Sequence, residues 1–150
     1  MIEPTLVTWF LVIFGILIDL PLGYGQILVL TNPQGQKTKD LVIGKGEEWR
    51  DKTHFKFAYG AAWADWVLVF PIMISGSIGV LLGYYWGYML WISAGAISLY
   101  INIILWFLER EYVYPSWGPL VYYTIYWGFF VYWGFAVIVY GLLRITGIHF

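Results

Sequence analysis

Four stretches of this chain, about 6–30, 58–83, 84–108 and 120–143, are dominated by apolar residues and carry almost no charge. About 20 such residues cross the hydrocarbon core of a bilayer as a helix. In lipid, a helix satisfies every backbone N–H and C=O within its own segment. The expected fold class is therefore all-α integral membrane, a four-transmembrane-helix bundle forming a single domain over 1–150. Only 11% of the 150 residues are charged, against 61% apolar, whereas a soluble domain carries about a quarter charged residues. The outer surface of this chain has to face lipid.

The same composition removes several function classes. There is no cysteine, hence no disulfide, thiolate metal site or cysteine nucleophile. His54 and His149 are isolated, so no metal site and no cofactor are implied. A net charge of −1 gives no general attraction to nucleic acid. With 10 Trp and 13 Tyr, aromatics exceed what interfacial belts require, so some are expected to line an interior. The first segment lacks a basic start and a small-residue cleavage site, and reads as a retained helix.

Charge sets the expected orientation. Lys37, Lys39, Lys45, Arg50, Lys52 and Lys56 all lie in the polar stretch 31–57, and Arg110 follows segment three on the same side; Arg144 stands alone on the other. The positive-inside rule then places the 31–57 loop in the cytoplasm and both termini outside. Gly35, Gly44 and Gly46 mark the loop as partly irregular, and its end, 47–57, suits a short interfacial helix. Segments two and three meet near 83–87 with almost no loop, as a helical hairpin. Gly79, Gly83 and Gly87 fit close helix packing there and permit a homo-oligomer through glycine-rich faces.

Each segment has one polar, small or aromatic face at helical spacing. These faces carry Thr8, Gly15, Asp19, Gly23 and Gln26; then Ala58, Ala61, Ala62, Asp65, Gly76 and Gly79; then Trp91, Gly95, Ser98, Asn102, Trp106 and Glu109; then Tyr122, Tyr126, Phe130, Trp133 and Tyr140. The pattern predicts a central cavity edged by carboxylates and rings. Asn102 and Ser98 are expected to face it, with Ile97, Leu99 and Ile103 turned toward lipid or other helices. Charges at membrane depth are costly and usually functional. Asp19 lies roughly 16 Å, and Asp65 roughly 10 Å, from the loop side at 1.5 Å per residue, with no basic residue deep enough to neutralise Asp19. Pro21 and Pro71 free the carbonyls of Leu17 and Val67, each two residues from one of these acids. Asp19 and Asp65 are expected to approach each other across one cavity, as a neutral acid bonded to an ionised one or with both bonded to a ligand. Against these readings stand simpler ones: Asp19 serving assembly alone, Asp65 reaching water or Lys56, and Glu109 with Arg110 and Glu111 forming an ordinary polar helix end.

Short motifs in all four segments resemble the EXPERA superfamily, which includes sterol isomerases and the sigma-two receptor type. These are FLVIFGILIDL with its mid-helix Asp19, DWVLVFP with an acid six residues before a proline, FLERE closing segment three, and LLR closing an aromatic segment four. The sigma-two type is the better match. The resemblance implies a ligand-facing acid at Asp65 and a buried one at Asp19. The chain differs from the isomerase branch in having no His inside any segment and no further helix, and from the sigma-two type in having no Pro within segment four.

The expected function is a membrane-embedded binder of a sterol-like, isoprenoid or cationic amphiphilic molecule. Asp19 and Asp65 would grip its polar group, and Asn102, Trp63, Trp66, Trp106, Tyr126 and Trp133 would surround its body, since rings support a cation by about 0.5–2 kcal/mol. The alternative is a lipid double-bond isomerase or cyclase, with Asp19, Asp65 and Glu109 as acid and base. A proton-coupled transport or assembly subunit is the third reading. Membrane lipids are the remaining expected partner.

Overall fold

The computed structural model describes residues 1–112, 118–121, 123–124 and 127–148, with the side chains of 109–112 and Pro119 outside that description. In chain order it contains α1 (Leu6–Thr31), α2 (Gln36–Val42), α3 (Lys52–Ala64), a π-helical turn (Asp65–Val69), α4 (Phe70–Leu81), α5 (Tyr85–Tyr112), a helical turn (Pro119–Val121) and α6 (Gly128–Ile145). Four helices are long and apolar enough to cross a membrane: Leu6–Thr31, Lys52–Leu81, Tyr85–Leu108 and Gly128–Ile145.

Local chemistry sets the helix ends. Thr5 opens α1 with a capping box: its N–H donates to Thr8 Oγ1 at 3.1 Å and its own Oγ1 accepts from the Thr8 N–H at 3.4 Å. Asp51 caps α3 by accepting from the N–H groups of Thr53 and His54 at 2.7 and 2.8 Å. This cap moves the start of the second span to Lys52, well ahead of the expected 58. Of the stretch 47–57, expected to form a short interfacial helix, residues 47–51 are non-helical and 52–57 begin the long helix, and the short helix of the loop is α2. At the fourth segment, Gly118 adopts φ +76° and Pro119 opens only a three-residue turn. The long helix that follows runs over Gly128–Ile145.

The two prolines are accommodated differently. α1 continues as one helix through Pro21. Before Pro71 the chain widens into the π-turn, in which the N–H of Phe70 reaches back to the carbonyl of Asp65. A π-turn lodges an extra residue within a helix, and this one begins at an acid.

The helices form a ring in which α4 packs on α5, α5 on α6, α6 on α1, and α1 on α3 and the π-turn. Glycines set the closest approaches. A Cβ on Gly87 would lie 2.3 Å from the Gly79 carbonyl carbon, and one on Gly95 would lie 2.6 Å from the Gly134 oxygen. Such contacts bring backbones together where lipid offers no hydrophobic drive between helices.

The core is aromatic. Trp91 and Trp133 are fully buried with ring centroids 6.3 Å apart, edge to face, a favoured aromatic geometry. Their sockets are glycines: a Cβ on Gly15 would meet Trp133 Nε1 at 2.9 Å, and one on Gly76 would meet Trp91 at 2.9 Å. Each indole N–H is satisfied, Trp133 donating to the Leu11 carbonyl at 2.9 Å and Trp91 to Ser77 Oγ at 3.1 Å. The small and aromatic stripes of neighbouring helices thus fill each other. Tyr88, Val80, Val137 and Tyr140 complete this core.

Candidate functional site

Asp65 and Gln26 pair between α1 and the second long helix. Asp65 begins the π-turn, and one of its carboxylate oxygens accepts from Gln26 Nε2 of α1 at 2.6 Å. Asp19 lies on the same face of α1 as Gln26, seven residues apart and so two helical turns away. Both acids are only partly buried. Nearby, Phe70 approaches Gly23, where an added Cβ would lie 3.5 Å from the ring, and Trp66 packs edge-on against Phe70 with centroids 5.2 Å apart.

The remaining candidates divide. Asn102 is buried, but its amide donates to the Ser98 carbonyl of its own helix at 2.7 Å, while Ser98 Oγ donates to the Phe130 carbonyl of α6 at 3.2 Å. Trp106 stands at the rim of an open groove of about 280 Å³ formed by Asn102, Ile103, Trp106 and Phe107. Its ring lies 4.6 Å, centroid to centroid, from that of Tyr123. Trp133 is wedged in the core. Trp63 and Trp66 are 52% and 41% exposed. The Glu109 side chain, Tyr122, Tyr126 and His149 lie outside the described residues. Among the described residues no group of three or more His, Asp or Glu is placed to hold a metal ion.

Two features were not singled out from sequence. Gln26 belongs to the polar face of segment one, and an amide two turns from an aspartate on one face is the signal that could have marked it. At the opposite end, Arg144 is 2% exposed and donates to the Glu3 carbonyl. It lies over the Tyr140 ring at 5.9 Å, and the Tyr140 hydroxyl is 2.6 Å from both Thr5 Oγ1 and Thr8 Oγ1. The Ile2 N–H donates to the Gly83 carbonyl at 2.7 Å. This network ties the N-terminal segment to α6 and to the α4–α5 turn. His54, which the sequence left outside the core, is buried against Trp49 with ring centroids 5.1 Å apart.

The arrangement around Asp19, Gln26 and Asp65 can accept hydrogen bonds from a donor or a cation, and it can hold a proton. Comparison of the chain with known protein families, curated proteins and solved structures finds no match.

Proposed function

We propose that the chain binds a sterol-like, isoprenoid or cationic amphiphilic small molecule within the membrane, at the polar site made by Asp19, Gln26 and Asp65. The observation that carries the reading is the Gln26–Asp65 bond across α1 and the π-turn with Asp19 on the same face. Asp65 and Gln26 pair between helices, and Asp19 lies on the same face of α1 about 10 Å further along it. Polar groups so placed are costly in lipid unless they pair with one another or serve a ligand. Pockets of this class are mostly apolar with a few placed polar groups. Membership of the EXPERA superfamily, with the loop cytoplasmic and both termini outside, belongs to the same proposal. It is supported by the mid-helix Asp19 and the acid-to-proline spacing of 65–71.

An isomerase or cyclase would use the same acids as proton donor and acceptor, and a transport subunit would pass a proton between them; binding is the step all three share. The test is Asp19→Asn and Asp65→Asn, made separately, with thermal stability in detergent and binding of a cationic amphiphile measured on each. Loss of one charge-assisted hydrogen bond, about 1.5–3 kcal/mol, predicts binding weakened roughly tenfold or more in at least one variant that still folds. Parent-like binding by both contradicts the site. Loss of folding in both supports assembly as the role of the acids.

A further inference from the structure

We infer that the loop-side end of the bundle carries a second binding surface, for the phosphate headgroups of anionic phospholipids, built on Lys37, Lys52 and Lys56. This goes beyond the intramembrane site and does not depend on it.

The charges of the loop are not equivalent. Lys39 is buried and bonded to Glu48 at 2.5 Å, and Arg50 lies 3.3 Å from Glu47. Asp40 accepts from Gln36 Nε2 at 2.8 Å and from the Gly46 N–H at 2.9 Å. The Gln36 bond, then the Gly46 bond, hold its carboxyl below the usual carboxylate range, and Lys45 adds to the effect. Asp40 therefore stays anionic beside Lys45. Asp51 is occupied in capping α3. Lys37, Lys45, Lys52 and Lys56 are all exposed and, among the described residues, in no ion pair, and Lys45 alone of them has the anionic Asp40 for a neighbour.

Geometry puts Lys37, Lys52 and Lys56 at headgroup depth. α2 folds back along the end of α1: Leu41 lies 3.7 Å from where a Gly25 Cβ would be, and Thr38 Oγ1 donates to the Asn32 carbonyl at 2.7 Å. Lys37 Nζ sits 5.3 Å from the Tyr24 ring centroid, and Tyr24 is roughly 10 Å inside the end of α1. The second span has 30 residues, roughly 45 Å of helix, against a hydrocarbon core of about 30 Å. Its surplus length brings the first turn, with Lys52 and Lys56 one turn apart, into the headgroup layer. Lysines in that layer attract anionic lipid.

The experiment is native mass spectrometry of the full chain released from micelles holding equal phosphatidylcholine and phosphatidylglycerol. The parent should retain phosphatidylglycerol over phosphatidylcholine. Lys37→Gln, Lys52→Gln and Lys56→Gln should each reduce that preference, about fivefold per lysine at most, and the triple variant should bring it to parity. Melting temperature in phosphatidylcholine alone should not move; if the triple variant does not fold, the three single variants decide. Lys45→Gln, beside the anionic Asp40, should reduce the preference less than any of the three. Equal retention of both lipids by the parent, an undiminished preference in the variants, or an equal effect of Lys45→Gln would overturn the assignment.

Discussion

At the scale of single residues, the account rests on where polar atoms find partners. Asp65 and Gln26 are paired across two helices, and the pair defines the candidate site more sharply than either residue does. Hydrogen bonds between membrane helices couple by about 0.6 kcal/mol on average and up to about 1.7 kcal/mol. A double-mutant cycle with Gln26→Leu and Asp65→Asn should return a coupling in the upper part of that range, read from unfolding in mixed micelles. A coupling indistinguishable from zero would mean the two side chains do not hold each other. The acids themselves were legible in the sequence, because a carboxylate at membrane depth stands out against aliphatic neighbours. Arg144 was not: the sequence marks it only as the lone basic residue on its side, and the folding of residues 2–8 across that helix end buries it.

At the scale of elements, the sequence carried helix number and the hairpin, and lost the helix ends and the state of the interior. Pro71 announced a local break, and the break takes the form of a π-turn beginning at Asp65. The start of the second span depended on the Asp51 cap, a local hydrogen bond that hydropathy does not register. The small and aromatic stripes were read as cavity walls, yet Gly15 receives Trp133 and Gly76 receives Trp91. A glycine stripe on one helix and a tryptophan stripe on its neighbour fit together as socket and plug, so periodicity alone cannot separate a lined space from a filled one. The α4–α5 hairpin shows the same economy of space at Gly79 and Gly87. Gly87→Val would drive side-chain atoms into the Gly79 backbone, and overpacking of this kind costs about 1–3 kcal/mol or more. Thermal unfolding in detergent should show that loss, whereas Gly60→Ala, where an added Cβ meets nothing within 4 Å, should not. Equal melting temperatures for Gly87→Val and the parent would remove the hairpin contact from the account.

At the scale of the whole molecule, four helices close a ring whose two ends differ. One end carries the network of Thr5, Thr8, Tyr140 and Arg144; Gln26 and the groove at Trp106 lie toward the other, polar-site end, with Asp19 and Asp65 near the middle of their helices. The basic bias of the loops predicts that the polar-site end faces the cytoplasm, so tags on both termini should be reached by antibody in intact cells. Protection of both would invert the orientation. The most direct test of the central claim is photo-crosslinking with a cationic amphiphile that carries a photoreactive group beside its ammonium, followed by mapping of the labelled peptides. The account predicts labelling concentrated on the stretches around 19–26 and 62–70, lost when an unlabelled amphiphile competes. Labelling confined to the lipid-facing surface of α5 at Tyr100, Ile103 and Phe107, and insensitive to competition, would contradict it.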